Sequence, residues 1–373
     1  MLINSLRIDP CSLDKISPGR NHSRPMSELS YGIIGCGVVG PLHAHAVAEL
    51  PNARLIATCD VDRQRAVSLA EKYAAPVVLT DFRELIARPD IDAVCICTPH
   101  FLHAEMAISA ARAGKHVLCE KPMAIKREDL DAMIAAADRA GTQLGVCFQH
   151  RFDPVSAQLK ALVEKGAFGT LLQGSAQLRC LRDKAYYDSA PWRGTWAQEG
   201  GGVLINQAIH SIDLMLWLLG EVALVTGTCA TLRGREVLEV EDTASAIINF
   251  TNGAQGTLAA TSSSHLDWQS RLQVYGEKGS AEVNQGLPHD FASIQIGDRS
   301  HTLSFDDSDV PTIGKKCYGN SHTRTLASFT DCVLQHRPFP ISGREGRRAV
   351  DVILDLYQES PLYPGAKACA GSI

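Results

Sequence analysis

The first 150 residues alternate short apolar runs with segments of helical periodicity. Runs rich in β-branched and other apolar residues predict buried strands at residues 33–34, 55–59, 91–97 and 116–119. Between these runs, apolar residues recur every three or four positions, which predicts helices such as 81–87 and 101–113. Apolar strands that alternate with helices are typical of a parallel sheet covered on both faces. We therefore predict a doubly wound, Rossmann-type α/β domain over residues 28–150.

Beyond Gly220 the periodicity of apolar residues changes to two. This pattern predicts strands at 222–232, 243–250, 256–262, 271–275 and 281–284. Turn residues at Asn252-Gly253 and Glu277-Lys278-Gly279 predict hairpins between them. Helices are predicted at 155–166, 322–335 and 344–358, with a polar loop at 306–318. We expect residues 151–373 to form a second α/β domain with a large open, mostly antiparallel sheet, whose uncovered face pairs two or four copies of the chain.

Composition and charge exclude several classes of partner. The 373-residue chain has a net charge of −5, and it contains neither a block of Lys and Arg nor an apolar run long enough to span a membrane. We therefore expect no nucleic-acid or membrane partner. The twelve cysteines are scattered singly without a C-x-x-C pair, which favours a reducing, cytoplasmic location. Residues 1–27 lack periodicity, and we interpret them as a disordered extension or a misplaced start ahead of Met26.

A glycine turn follows the first strand, with Gly35, Gly37 and Gly40 in the spacing of a dinucleotide-binding fingerprint. Gly35 permits a tight turn, Gly37 lets the backbone approach a pyrophosphate, and Gly40 lets a helix pack closely on the strand. Asp60 ends the next strand, where a carboxylate accepts hydrogen bonds from the adenosine ribose and repels a 2′-phosphate. This predicts NAD as the cofactor. Arg63 keeps NADP open, because an arginine there can receive a 2′-phosphate.

Two residues far apart in the chain have the chemistry of an alcohol dehydrogenation. Lys121 follows a strand at its carboxyl end, where a lysine can stabilise the alkoxide formed as hydride leaves. The alternative is a surface lysine paired with Glu120. His210 begins a helix and is a candidate proton acceptor, although a histidine there also serves as a cap or a packed ring.

Six motifs stand out between residue 31 and about residue 220. They are G-C-G-V-V-G, T-P-H-F-L-H, A-G-K-H-V-L-C-E-K-P-M-A, Q-H-R-F-D-P, W-R-G-T-W and E-G-G-G-V-L-I-N-Q-A-I-H-S-I-D. Together they resemble the Gfo/Idh/MocA family of sugar and polyol dehydrogenases. The resemblance implies a catalytic or positioning role for Lys121 and a cis bond before Pro122. It also implies further cofactor contacts, at Val38, Val39, Thr98, Pro99, His100, His103, Glu120, Lys121, Gln149, Trp192 and Arg193.

The chain departs from the family pattern at Asn206, where many relatives carry an aspartate. An amide cannot ionise, so His210 remains as the main proton acceptor and Asn206 is expected to bind a substrate hydroxyl. Gln207 offers a second neutral donor and acceptor. Arg151 is either a substrate anchor or a structural partner of an acid.

An aromatic-rich segment is the remaining candidate for substrate contact. Tyr186, Tyr187, Trp192 and Trp196 are candidates for a wall against a sugar ring. The histidines and carboxylates show no spacing typical of a metal site, so we expect no catalytic metal. The residues favour an NAD-dependent dehydrogenase acting on a sugar, polyol or glycoside. The alternatives are an NAD-using glycoside hydrolase and a non-catalytic dinucleotide-binding regulator.

Overall fold

The computed structural model describes residues 27–233, 236, 238–285, 291–304 and 321–364. Its strands form a six-stranded parallel sheet and an eight-stranded, mostly antiparallel sheet, which confirms the predicted fold class. Within these residues, every helix is too short or too polar to cross a bilayer. Most of the N-terminal extension and the polar loop predicted at 306–318 lie outside the described residues.

The parallel sheet carries the glycine turn and Lys121 at the carboxyl ends of its strands. Its order is β3-β2-β1-β4-β5-β6. The strands are β1 Leu29–Ile34, β2 Ala53–Cys59, β3 Val77–Leu79, β4 Ala93–Ile96, β5 His116–Glu120 and β6 Leu144–Cys147. All six residues of β1 are buried, as expected for a strand between two helical layers.

Helices cover this sheet, and their termini carry recognisable capping residues. They are α1 Gly40–Glu49, α2 Arg63–Tyr73, α3 Phe82–Ala87, α4 His103–Arg112 and α5 Arg127–Ala140. The side chains of Asp62 and Asp81 accept hydrogen bonds from backbone N–H groups in the first turns of α2 and α3. The helix predicted over 101–113 begins at His103, because residues His100–Leu102 form a 3₁₀ turn after Pro99.

The second sheet has the order β14-β13-β12-β11-β7-β10-β9-β8. Its strands are β7 Leu171–Leu181, β8 Val222–Ala230, β9 Thr243–Phe250, β10 Gln255–Thr261, β11 Ser263–Gly276, β12 Gly279–Gln285, β13 Phe291–Ile296 and β14 Arg299–Ser304. Both predicted hairpins are present, joining β9 to β10 and β11 to β12. The sheet is larger than predicted, since β7, β13 and β14 were not among the predicted strands. The pairing of β7 with β10 is parallel.

The remaining helices connect and cover the two sheets. They are α6 Pro154–Glu164, α7 Lys184–Asp188, α8 Ile209–Leu219, α9 Ser321–Leu334 and α10 Gly343–Gln358. Helix α8 packs on β7 and β11, and α10 packs on β8. Helix α9 lies instead against α1 of the parallel-sheet domain. The C-terminal helices therefore tie the two sheets together around the segment that carries His210.

Candidate active site

The glycine turn between β1 and α1 leaves an open space beside Gly37. A Cβ on Gly35, whose φ is +94°, would lie 2.6 Å from backbone atoms of Cys97, and one on Gly40 would lie 2.3 Å from the Gly35 carbonyl oxygen. The close approaches expected at these two positions are therefore present. A Cβ on Gly37 would meet nothing within 4 Å. The backbone there faces the open space that a pyrophosphate needs at a helix N-terminus.

Asp60 lies at the rim of the same turn. Its carboxylate accepts hydrogen bonds from the backbone N–H of Cys36 at 2.7 Å and of Asp62 at 2.9 Å. These bonds fix the carboxylate after the end of β2, the position expected for ribose recognition. Arg63 is exposed at the start of α2. Val38, another cofactor contact predicted at this turn, is exposed to solvent.

Two histidines in the segment after β4 bond to carbonyl oxygens elsewhere in the site. His103 lies with Nδ1 2.8 Å from the Pro122 carbonyl oxygen and Nε2 2.8 Å from that of Thr98. His100 donates from Nδ1 to the Glu199 carbonyl oxygen at 2.8 Å, and its ring lies 4.8 Å from that of Trp192. The buried His103 joins two strand ends, a structural role beside the cofactor contact that was predicted for it.

Lys121 directly follows β5, and the cis bond expected before Pro122 is present. Its Nζ donates to the backbone carbonyl oxygen of Asn206 at 2.8 Å. Burial lowers the pKa of Lys121, while the nearby charge of Glu120 opposes that shift. The ammonium group therefore points toward the segment that carries His210.

Glu120 points inward and does not form the surface ion pair considered for Lys121. Its Oε1 lies 2.8 Å from Nε2 of His43, and its Oε2 accepts from the Lys121 backbone N–H at 3.2 Å. Burial alone would raise the pKa of Glu120, but hydrogen bonds from His322 and His43 hold it well below its usual range. Both carboxylate oxygens of this buried residue therefore bond to neighbouring protein groups, and the cofactor contact predicted for Glu120 stays a prediction.

His210 lies in the first turn of α8, immediately after a π-helical turn at Val203–Ala208. Its ring meets Phe148 and His150 edge-on, at centroid distances of 5.8 and 4.9 Å. Burial, and then the charges of His150 and Lys121, hold the pKa of His210 well below its usual value. The imidazole is therefore neutral at pH 7 and can accept a proton.

Two family models match this chain. The first, described as an oxidoreductase family with an NAD-binding Rossmann fold, matches residues 29–148, and the second, the GFO/IDH/MocA C-terminal domain, matches residues 156–282. The chain belongs to the Gfo/Idh/MocA oxidoreductase family. The resemblance seen in the motifs is thereby confirmed, and the protein is an oxidoreductase.

Relatives named as dehydrogenases match most of this oxidoreductase. Myo-inositol 2-dehydrogenase of Thermotoga maritima is 29% identical over 86% of this chain and 93% of its own. Levoglucosan dehydrogenase of Pseudarthrobacter phenanthrenivorans is 32% identical over 69% of this chain and 74% of its own. A levoglucosan dehydrogenase structure with NADH and levoglucosan has a TM-score of 0.78 at 27% identity, covering 88% of this chain and 96% of its own. The WlbA dehydrogenase of Bordetella pertussis with NADH and UDP-GlcNAcA has a TM-score of 0.76 at 29% identity, covering 89% and 96%.

A polar network centred on the Tyr186 hydroxyl lies beside Lys121 and His210. The hydroxyl accepts from Nη1 of Arg193 at 2.5 Å and from the side-chain amides of Asn206 and Gln207, both at 3.1 Å. Gln207 also accepts from Nη2 of Arg182 at 2.8 Å. Three predicted site residues therefore converge on the hydroxyl of a fourth, Tyr186.

Glu199 is a site residue that sequence reasoning missed. It is 1% exposed, and its carboxylate accepts from the Asn206 side-chain amide and from the Gly194 backbone N–H. Burial raises its pKa. The available signal was a carboxylate directly before the triple glycine 200–202, close in sequence to the amide that replaces the usual aspartate. Glu199 thus supplies, next to Asn206, the carboxylate that residue 206 itself lacks.

Arg151 has a structural role, which is the second of the two readings considered. Its guanidinium bonds both carboxylate oxygens of Asp213, at 2.8 and 2.6 Å, and Oε1 of Glu345 at 2.9 Å. Arg151 and Asp213 are both buried. Asp213 lies in α8, one turn after His210, and Glu345 lies in α10. The bonds from Arg151 therefore hold α8 against α10. The predicted substrate contact is not supported, because the guanidinium is occupied by these two acids.

The proposed aromatic wall is only partly present. Trp196 packs edge-on against Tyr357 and Tyr363, at 5.0 and 5.2 Å, and so belongs to the packing of the C-terminal helix. Tyr186 and Trp192 remain beside the site. Gln149, predicted to bind the cofactor, is buried, and its Oε1 has no hydrogen-bond partner among the described residues. A buried, unsatisfied acceptor is a group that a bound ligand can satisfy.

Proposed function

We propose that this protein is an NAD-dependent dehydrogenase that oxidises a secondary hydroxyl of a sugar, polyol or glycoside. The observation that carries the proposal is the 2.8 Å bond from Lys121 Nζ to the Asn206 carbonyl oxygen, one helical turn before the neutral His210. A strong hydrogen-bond donor and a proton acceptor thus lie together at the carboxyl end of β5. This is where ligands bind to open α/β sheets.

Each of the two residues has one task. His210 accepts the hydroxyl proton of the substrate, and the Lys121 ammonium stabilises the alkoxide that develops on the same oxygen. NAD held at the glycine turn would supply the acceptor for the hydride of the carbinol carbon. The open backbone at Gly37, the fixed carboxylate of Asp60 and the unsatisfied Oε1 of Gln149 suit that cofactor.

The polar network favours a substrate with several hydroxyl groups. Asn206, Gln207, Tyr186 and Arg193 supply neutral and charged hydrogen-bonding groups around the two reacting side chains. The relatives named for myo-inositol and levoglucosan support the same class of compound. Asp60 favours NAD over NADP, because its carboxylate repels a 2′-phosphate, whereas the exposed Arg63 keeps NADP open.

The test is a panel of sugars, polyols and glycosides offered with NAD or NADP while reduced nicotinamide is followed by absorbance. Formation of NADH with at least one polyhydroxylated compound, faster with NAD than with NADP, is the expected result. Release of free sugar from a glycoside without net NADH would support the hydrolase instead. Cofactor binding without either reaction would support a regulator.

Three further expectations accompany this proposal. Residues 28–150 bind the cofactor, and residues 151–373 bind the substrate and a second copy of the chain. The protein works in the cytoplasm, a location consistent with the nine described cysteines, which are all buried and unbridged. The assembly is a homodimer or homotetramer formed through the outer face of the eight-stranded sheet.

A further inference from the structure

A buried cluster of four potential metal ligands lies beneath the glycine turn. It consists of His43 in α1, Glu120 at the end of β5, Cys147 at the end of β6 and His322 in the first turn of α9. The ligand atoms of these four side chains all lie within 4.8 Å of one another, and all four residues are buried. The two imidazoles approach the same carboxylate oxygen, with Nε2 of His43 at 2.8 Å and Nε2 of His322 at 3.7 Å from Glu120 Oε1.

The donor set selects among metals. Two imidazole nitrogens, one thiolate sulfur and one carboxylate oxygen match the ligands of a tetrahedral zinc site. A hard cation such as Mg²⁺ or Ca²⁺ prefers oxygen ligands and does not suit the sulfur. Four protein ligands fill a tetrahedron, which leaves no position for water and is typical of a structural site.

We propose that His43, Glu120, Cys147 and His322 bind one structural zinc ion. The ion takes the place of the hydrogen between His43 and Glu120 and forms bonds to two nitrogens, one oxygen and one sulfur. Binding releases the thiol proton of Cys147 to solvent, and the hydrogen displaced from between His43 and Glu120 moves to Nδ1 of His43 or leaves with it. No change of oxidation state occurs. This proposal is independent of the substrate and of the proposed dehydrogenase activity.

The position of the cluster gives the ion a structural consequence. It joins three elements of the parallel-sheet domain to α9, and one of its ligands directly precedes Lys121. Because the Cys147 thiol must lose its proton to bind the metal, binding weakens as the pH falls. Without the ion, His43 and Glu120 bond directly to each other.

The experiment measures metal in the full-length protein purified from zinc-supplemented medium. Wild type is expected to hold about one zinc ion per chain, whereas Cys147→Ser and His322→Gln lose it. Cys229→Ser is the matched control, since it removes a buried thiol in β8, outside the cluster, and should retain the metal. Wild type in which cobalt replaces zinc is expected to show a near-ultraviolet thiolate-to-cobalt charge-transfer band and to lose thermal stability when the metal is chelated.

The proposal is overturned if wild-type protein binds neither zinc nor cobalt stoichiometrically, which would leave the cluster as a hydrogen-bonded ion pair. It is equally overturned if Cys147→Ser and His322→Gln keep the full metal content. If those variants fail to fold, the cobalt spectrum of wild type decides, because only a bound thiolate gives the charge-transfer band. None of these measurements depends on turnover, so a failure of the dehydrogenase proposal leaves them unaffected.

Discussion

At the scale of single residues, the sequence supplied the two residues proposed to react, but not the groups that surround them. Lys121 and His210 could be selected because their residue types match the chemistry and their positions follow a strand end and a glycine-rich turn. Glu199 and the shared hydroxyl of Tyr186 could not, since their roles arise from side-chain directions that sequence spacing does not fix. Arg151 could be assigned only once its two acidic partners were seen in space.

The buried position of His210 predicts the pH dependence of the reaction. Only the neutral imidazole accepts a proton, so kcat/KM falls as the pH drops through the pKa of His210. Burial, with His150 and Lys121 nearby, lowers that pKa. The acid limb of the kcat/KM profile is therefore expected below a pH of about 6.5, the ordinary pKa of histidine. In His150→Gln, which lacks one nearby cation, the limb should move to higher pH. A wild-type limb at or above the ordinary value would contradict the account.

Glu199 is expected to act through Asn206 as a positioning residue. The Glu199 carboxylate accepts from the Gly194 backbone N–H and from the Asn206 amide. In Glu199→Gln one of these two donors faces the NH₂ group of the glutamine, which disturbs the Asn206 side chain. A hydrogen bond to a charged group contributes about 1.5–3 kcal/mol, so KM for the substrate should rise about 10- to 100-fold with a smaller change in kcat. Glu239→Gln, an exposed carboxylate bound to the Trp196 backbone, is the control. Reduced thermal stability with unchanged KM would show that Glu199 is only structural.

At the scale of elements, periodicity identified most of the helices and strands of the two sheets. It did not predict β3 or β6, which are only three and four residues long, or the helix α5 between Lys121 and β6. It also missed β7, whose polar and apolar residues alternate but whose parallel partner β10 lies far along the chain. The π-helical turn before His210 depends on contacts of the glycine-rich segment with Glu241, at the end of a different loop.

Removing Arg151 tests the structural role of the pairing that holds α8. Arg151→Met leaves the carboxylate of Asp213 buried without its bidentate partner, and breaking such a pair costs about 3–5 kcal/mol of unfolding free energy. The double variant Arg151→Met/Asp213→Leu should recover most of that loss, as measured by denaturant unfolding. An Arg151→Met protein as stable as wild type but with a raised KM would instead show that Arg151 binds the substrate.

At the scale of the whole molecule, the chain brings together residues that no local pattern connects. The order β3-β2-β1-β4-β5-β6 places the glycine turn, Asp60 and Lys121 along one edge of the parallel sheet, as the alternation of strands and helices predicted. The members of the four-residue cluster lie between positions 43 and 322, so they show no metal-ligand spacing in the sequence. The packing of α9 on α1 brings His322 next to His43.

The outer face of the eight-stranded sheet predicts the oligomeric state. Along β9 buried and exposed residues alternate, and Ile247 on the outer side is 52% exposed. If this face pairs two copies, Ile247→Arg should shift the protein toward monomer in size-exclusion chromatography with light scattering. Val61→Arg, at an exposed apolar residue of the parallel-sheet domain, should leave the oligomer intact. An unaltered oligomer in Ile247→Arg, or a monomeric wild type, would contradict this prediction.

The most direct test of the account is the single-turnover rate of NAD reduction, measured by stopped-flow with the best substrate of the panel. General-base catalysis contributes about 10²- to 10⁴-fold, so His210→Ala should slow hydride transfer by that factor while cofactor affinity changes little. Lys121→Ala should slow it too, and the double variant should lose less than the product of the two factors, because both residues act on one hydroxyl. Hydride transfer in His210→Ala as fast as in wild type would contradict the central claim.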